Sequence, residues 1–140
     1  MPAGRVHQDL EQIWLFAGCT RAELRRIGRA FQEVEVPAGT LLVEEGQPGL
    51  LFFVVVAGRA SVVRGRRTVA SLGPGDSFGE LSLLDHQPRA ASVTSESEMT
   101  LLVLRQHQFQ KVLRDTPSMA RRLLATLAGR LRTADRLAFD

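Results

Sequence analysis

The chain carries the stretch FGELSLLDHQPRAASV at residues 78–93, and this stretch indicates both its fold and its ligand. Gly79 precedes a short apolar turn, and a glycine lets the backbone come close to a ligand because no Cβ blocks the approach. The first N–H groups of even a short helix have no internal partners and favour an anion, while the planar fork of Arg89 suits phosphate oxygens. Glu80 would repel a phosphate, so we expect it to bind a hydroxyl. The stretch therefore predicts a ligand with one phosphate and at least one sugar-like hydroxyl.

Two blocks of this stretch, residues 78–83 (FGELSL) and 88–93 (PRAASV), carry a family resemblance. They resemble the phosphate-binding cassette of the cyclic nucleotide-binding domain family, in its catabolite activator protein-like form. The pattern is long, ordered and mixed in chemistry, which makes it specific. Taken alone, the charges of Glu80 and Arg89 have an alternative interpretation, which is that they pair with each other across a loop.

The resemblance assigns roles to the cassette residues. It implies that Glu80 accepts a hydrogen bond from the ribose 2′-hydroxyl and that Arg89 holds the cyclic phosphate. It also implies backbone contacts to the ligand from three further cassette residues: Gly79, Leu81 and Ser82.

The residue after the cassette arginine helps to choose the base in this family, where a Thr or Ser can bond the guanine amino group. Ala90 has no hydroxyl, so the resemblance implies cAMP as the preferred ligand, with cGMP second. The C-terminal helix of the family often supplies a polar cap to the base. Thr133, next to Ala134 and Asp135, is the nearest match and is the candidate base cap.

Length and composition suit one compact domain with its own core, since the chain has 140 residues of which 44% are hydrophobic. Its one cysteine, Cys19, excludes a disulfide within the chain and favours a reducing compartment. No run approaches the length of a membrane span, and residues 1–12 lack an apolar signal core. We therefore expect a cytoplasmic protein in which residues 1–140 form a single domain.

Positive charge is concentrated near the C-terminus. Residues 1–104 hold ten Lys and Arg against twelve Asp and Glu, whereas residues 105–140 hold eight against three. A basic tail can indicate nucleic-acid binding. Here the arginines follow a helical spacing without interleaved aromatics, so we interpret them as a solvated helix face.

Residues 31–105 consist of short segments rich in Val, Leu and Thr that glycine turns separate, a composition typical of strands. Seven segments are individually predicted as strands: 34–36, 40–43, 51–57, 60–63, 68–72, 90–94 and 100–104. Roughly eight short strands at close spacing predict an antiparallel β-roll or jelly roll. The expected fold is α+β, mainly β, with helices on either side of the roll (residues 1–30 and 106–140) and a short helix in the cassette.

Two helices are predicted before the roll. Residues 8–16 carry apolar side chains at helical spacing, and we expect Trp14 among them to be a core residue rather than a ligand stacker. Thr20 begins the second helix, with Glu23 at the capping-box spacing three residues later.

Two further helices are predicted after the roll, at residues 106–114 and from Pro117 onward. Alanine and leucine recur along the second helix at alternating spacings of four and three, which is a heptad seam. The seam consists of Ala120, Leu124, Leu127, Leu131, Ala134 and Ala138. It packs either on its own roll or on a second copy. Because the segment resembles the dimerising helix of the family's bacterial regulators, we favour a homodimer through helix 117–138.

The sequence therefore predicts a regulatory sensor that binds a cyclic nucleotide, moves its C-terminal helices in response and is not an enzyme. One alternative is a ligand-free dimerising scaffold with a degenerate pocket, and another is a sensor domain cut from a larger channel, transporter or transcription factor. A jelly-roll metalloenzyme would need His and Glu ligands on neighbouring strands, and the predicted strands contain no histidine. We expect no cofactor and no metal. Since the bacterial regulators continue into a helix-turn-helix and this sequence ends at Asp140, we expect no direct DNA binding.

Overall fold

The computed structural model describes residues 10–11 and 13–139, with side chains at all of these positions except 81, 85, 130 and 133–139. Within this part, eight strands form two four-stranded antiparallel sheets, in the orders β1-β8-β3-β6 and β2-β7-β4-β5. The strands are β1 Gln32–Val36, β2 Leu41–Val43, β3 Leu51–Ala57, β4 Ala60–Arg64, β5 Arg67–Leu72, β6 Ser77–Phe78, β7 Ser92–Ser95 and β8 Met99–Arg105. The predicted mainly-β fold with flanking helices is confirmed.

Helices precede, interrupt and follow the roll. They are a short 3₁₀ helix at Trp14–Phe16, α1 at Arg21–Ala30, α2 at Glu80–Asp85, α3 at Gln106–Asp115 and α4 at Pro117–Phe139. The predicted capping box begins α1: the Glu23 N–H donates to Thr20 Oγ1 over 3.1 Å, and the Thr20 N–H donates to Glu23 Oε1 over 2.8 Å. None of the described helices combines the length and the apolar character that a membrane crossing needs.

Strand β3 separates two apolar clusters, as the continuous apolar run predicts. Phe52 and Val54 belong to the cluster that includes the helices, whereas Phe53 and Val55 belong to the cluster between the two sheets. Successive side chains of a strand point to opposite faces, so a strand that is covered on both sides needs apolar residues throughout.

Strand β6 was not predicted from the sequence. It is only two residues long, too short to show the alternation of apolar and polar residues that is typical of a strand, and it pairs with the middle of β3. The rings of Phe53 and Phe78 stack there with centroids 4.6 Å apart. The segment predicted at 90–94 begins as a strand only at Ser92, because the chain is still leaving the cassette at residues 90–91.

The prediction that Trp14 is a core residue is wrong. Its side chain is 53% exposed, and the Arg122 guanidinium of α4 lies 5.0 Å from its ring centroid. The described part of the predicted helix ends in a 3₁₀ turn, which has three residues per turn. In this turn Leu15 and Phe16 point into the core and Trp14 points outward. Residues 8, 9 and 12 of that helix lie outside the described residues.

Helix α4 divides its apolar residues between two faces. Met119 and Leu123 are buried in the core, and Leu127 of the predicted seam packs against it. Leu124 and Leu131 of the same seam are 64% and 63% exposed. The first turns of α4 thus pack on the chain's own roll, while two seam leucines face solvent. The side chains of Ala134 and Ala138 lie outside the described ones.

Candidate ligand-binding site

A cavity of about 420 Å³ lies between the β2-β7-β4-β5 sheet and the cassette. Its wall includes the apolar residues Val43, Val62, Ala70, Leu72, Phe78 and Val93 and the polar or charged residues Arg64, Ser77, Glu80, Ser82, Gln87 and Arg89. Ligand pockets in proteins fall mostly between about 300 and 1,000 Å³ and combine an apolar lining with few polar groups. The cavity therefore has the size and the lining of a small-molecule site.

Gly79 makes the turn into α2 and can be replaced by no other residue without strain. Its φ of +96° lies in the left-handed region. A Cβ there would come within 2.6 Å of the Leu51 carbonyl oxygen and 2.9 Å of Arg89 Nη1. Glycine is thus required both by the backbone conformation and by the close approach of the cassette to β3.

Arg89 is a buried arginine, 7% exposed, whose guanidinium is held by backbone oxygens. Its Nη1 donates to the Gly79 carbonyl over 2.8 Å, and its Nη2 donates to the Leu51 carbonyl over 2.7 Å. Burial lowers the pKa of Arg89, and the nearby Glu80 carboxylate opposes that effect. Arginine keeps its charge at neutral pH even so, because its ordinary pKa lies far above neutrality. The cavity wall therefore holds a charged fork whose acceptors are neutral carbonyls.

Glu80 is the first residue of α2 and is only 2% exposed. It lines the same cavity as Arg89. A buried carboxylate is stable only where it has hydrogen-bond donors or a countercharge close by. The alternative interpretation was that Glu80 and Arg89 pair with each other, and the charge of Glu80 does act on Arg89. Both terminal nitrogens of Arg89 nevertheless donate to backbone carbonyls.

The loop before β3 holds the cassette arginine from its other side. The Gly46 N–H donates to the Arg89 carbonyl over 2.8 Å, and the Arg89 N–H donates to the Gln47 carbonyl over 2.9 Å. A Cβ on Gly49 would lie 2.3 Å from the Ser82 Cβ and 2.8 Å from the Arg89 Cζ. Gly49 therefore makes room for the guanidinium, a role that the sequence signals only through a glycine-rich loop.

The structure brings most of the predicted site residues together. Gly79, Glu80, Ser82, Arg89 and Ala90 line one cavity. Leu81 lies in α2 and Thr133 in α4, but their side chains are outside the described ones.

Sequence reasoning missed Arg64, the last residue of β4. It lines the cavity, and its Nε donates to the Ala90 carbonyl over 3.3 Å. The alternation of side chains along β4 indicates this position, since Arg64 lies two residues after Val62 and shares its face. Val62 packs against the cluster between the sheets and also lines the cavity.

The described residues contain no cluster of potential metal ligands. Across the described residues, no three His, Cys, Asp or Glu side chains stand close enough together to hold a metal ion. His86 ends α2 at a φ of 58° and lies 3.5 Å, Nδ1 to Nε2, from the Gln106 side chain.

The roll and the cassette form a β-roll domain with a cavity of small-molecule size. Comparison with known proteins identifies the family. The family model described as "Cyclic nucleotide-binding domain" matches residues 33–116. The chain therefore belongs to the cyclic nucleotide-binding domain family, as the cassette resemblance predicts.

Individual relatives agree with this assignment. The chain is 34% identical over 119 residues to a cAMP-dependent protein kinase regulatory subunit of Hypocrea atroviridis, covering 84% of this chain and 26% of the relative. It is 36% identical over 126 residues to the cyclic AMP receptor protein of Thermus thermophilus, covering 86% of this chain and 58% of the relative. The crystal structure of the Thermus thermophilus catabolite activator protein superposes with a TM-score of 0.83 at 35% identity, over 89% of this chain and 61% of that one. The chain thus spans between about a quarter and three fifths of these proteins.

Proposed function

We propose that this chain binds a cyclic nucleotide, cAMP in the first place and cGMP second, and acts as a regulatory sensor. The observation that carries the proposal is the buried Arg89 fork, which lines the cavity of about 420 Å³ and donates to two backbone carbonyls. A cyclic phosphate would give this cation a charged acceptor, and charge-assisted hydrogen bonds are roughly twice as strong as neutral ones. The named relatives, a cyclic AMP receptor protein and a cAMP-dependent kinase subunit, support cAMP as the ligand.

The proposed roles are those that the cassette resemblance implies. Arg89 binds the cyclic phosphate, and Glu80 accepts from the ribose 2′-hydroxyl. Backbone groups of α2 complete the cradle, at Gly79, Leu81 and Ser82. Ala90 lies on the cavity wall without a hydroxyl for a guanine amino group, which favours cAMP. Thr133 remains the candidate base cap from α4.

The same bonds suggest how binding reaches the C-terminal helices. Arg89 donates to the Leu51 carbonyl, and the neighbouring Leu50 carbonyl accepts from the Gln106 N–H at the start of α3 over 3.1 Å. A phosphate that draws the guanidinium away from Leu51 would loosen the start of β3 beside this bond. We propose that the ligand shifts a population in which α3 and α4 lie differently against the roll.

Association through α4 is part of the proposal. The exposed Leu124 and Leu131 lie on the predicted seam and would be covered in a homodimer. We propose that residues 1–140 form one cytoplasmic sensor domain without catalytic activity, and the proposal assigns it no DNA contact. Its output is the movement of the helices.

Calorimetric titration of the chain with cAMP tests the proposal. We expect saturable binding with one nucleotide per chain. A chain that gives no binding heat with cAMP or cGMP, and no nucleotide-induced rise in melting temperature, is instead the ligand-free scaffold. A turnover assay with added Zn²⁺ or Mn²⁺ tests the enzyme alternative, and we expect cAMP to be recovered unchanged.

A further inference from the structure

Arg64 brings a second guanidinium to the cavity, at a different depth from Arg89. Arg89 is buried against β3, whereas Arg64 is exposed at the end of β4. Arg64 bonds to the carbonyl of Ala90, the residue that the cassette resemblance associates with the choice of base. We therefore place Arg64 beside the base rather than the phosphate.

A hydrogen bond fixes Arg64 beside the residue that follows the cassette arginine. A guanidinium has five N–H donors, and one of them, the Nε–H of Arg64, donates to the Ala90 carbonyl. Glu45, an acidic loop residue that contacts the same hairpin, uses its Oε1 to accept from the Gly65 N–H over 2.8 Å. In β5 the residue paired with Arg64 is another arginine, Arg67. Within the described part of the chain, the two terminal NH₂ groups of Arg64 are thus available to a ligand.

The two purines offer different partners to such a fork. Guanine presents two acceptors side by side, O6 and N7, which arginine binds bidentately. Adenine presents N7 beside an amino group, and that amino group is a donor, as the guanidinium is. A fork at the N7 edge therefore makes two hydrogen bonds to guanine and one to adenine.

We propose that Arg64 contacts the base, donating to the N7 edge of the purine and raising affinity for cGMP relative to cAMP. This inference rests on the proposed function and deepens it. Ala90 lacks the hydroxyl that would recognise guanine, and Arg64 partly restores guanine recognition by a different edge. The pocket then discriminates weakly between the two nucleotides.

Competition titrations of cAMP, cGMP and 7-deaza-cGMP test the assignment, on the parent, Arg64→Ala and Arg64→Lys. Arg66→Ala is the matched control, since it removes the same charge from the same hairpin and does not line the cavity. We expect Arg64→Ala to shift the affinity ratio toward cAMP by roughly 5- to 150-fold, the discrimination that a bidentate pair supplies. Arg64→Lys keeps the charge without the fork and should recover only part of the ratio. The parent should bind 7-deaza-cGMP more weakly than cGMP, and Arg64→Ala should bind the two equally.

The outcomes separate the two proposals. If the parent binds neither cAMP nor cGMP, the proposed function is overturned and the Arg64 assignment with it. If the parent binds both but Arg64→Ala keeps the parent's ratio, only the Arg64 assignment is overturned. Equal losses for all three ligands would also overturn it, since they would show that Arg64 supports the cassette or attracts anions in general.

Discussion

The cassette at residues 78–93 buries a charged residue, whereas one face of α4 exposes apolar residues. In the cassette, Arg89 is buried and donates to two backbone carbonyls of the same chain. On α4, Leu124 and Leu131 are exposed, although leucine is one of the residues most often buried. The cassette is thus built within one chain, whereas the exposed face of α4 is, by our proposal, completed by a second copy. Substitutions in the two regions should therefore change different measurements.

The largest effect is expected from Arg89→Ala. Losing one partner of a buried charge pair costs about 2–5 kcal/mol. The affinity for cAMP should therefore fall by a factor of between about 30 and several thousand. Arg89→Lys should also bind weakly, because an ammonium cannot fork. Calorimetry measures the loss, and Arg25→Ala, an exposed charge on α1, is the control. Parent-like binding by Arg89→Ala would show that the site lies elsewhere.

The second prediction compares two glycines with similar backbone angles. Gly75 and Gly79 have φ of +91° and +96°, but a Cβ meets nothing within 4 Å at Gly75 and lies 2.6 Å from the Leu51 oxygen at Gly79. Left-handed backbone alone costs a Cβ-bearing residue roughly 1–2 kcal/mol, and overpacking typically adds about 1–3 kcal/mol. Urea unfolding should therefore show a loss of about 1–2 kcal/mol for Gly75→Ala and about 2–5 kcal/mol for Gly79→Ala. Equal losses would mean that the cassette can move away from β3 at little cost.

These two regions also differ in how far the sequence determines them. The roll and the cassette are predictable because each has a local signature: short apolar runs between glycine turns, and an ordered motif with a glycine, an acid and a base. The role of Gly49 was not predictable, because it depends on contacts with Ser82 and Arg89 far along the chain. For Arg64, the strand alternation indicates which face it occupies, but its bond to the Ala90 carbonyl was not predictable.

Exposure along the helices was the least predictable feature. Trp14 follows a helical apolar spacing, yet a 3₁₀ turn rotates it out of the core. In α4, Leu123 and Leu124 are adjacent leucines, one buried and one exposed. The apolar pattern alone does not show which of the two faces the roll, since that depends on how α4 lies against the core.

The third prediction concerns the carboxylate of the cassette. Glu80→Gln keeps the shape of the side chain but removes its charge, and a hydrogen bond to a charged group contributes about 1.5–3 kcal/mol. Affinity for cAMP should fall by that amount, while affinity for 2′-deoxy-cAMP should hardly change. The 2′-deoxy analogue is thus the matched control for the substitution. Similar losses for both ligands would show that Glu80 supports the loop instead of binding the 2′-hydroxyl.

The last prediction concerns α4 and should leave the cassette untouched. Replacing both exposed leucines, Leu124→Glu with Leu131→Glu, places carboxylates where the seams of two chains would meet. Sedimentation should then show a monomer where the parent shows a dimer. Because both leucines are exposed and surface substitutions usually change stability by less than about 0.5 kcal/mol, unfolding and cAMP affinity should stay close to the parent's. Leu127 is unsuitable for this test, since it packs against the core and its substitution would mix folding with association.

Ala125→Glu is the matched control for Leu124→Glu on its own. It lies one residue further along the helix, is also exposed, and points about 100° away around the helix axis. A seam contact predicts that Leu124→Glu weakens the dimer and Ala125→Glu does not. If both variants weaken it equally, added negative charge and not the seam is responsible. A parent chain that stays monomeric at high concentration, with and without cAMP, would remove the homodimer and leave the ligand site intact, because the cassette makes its contacts within one chain.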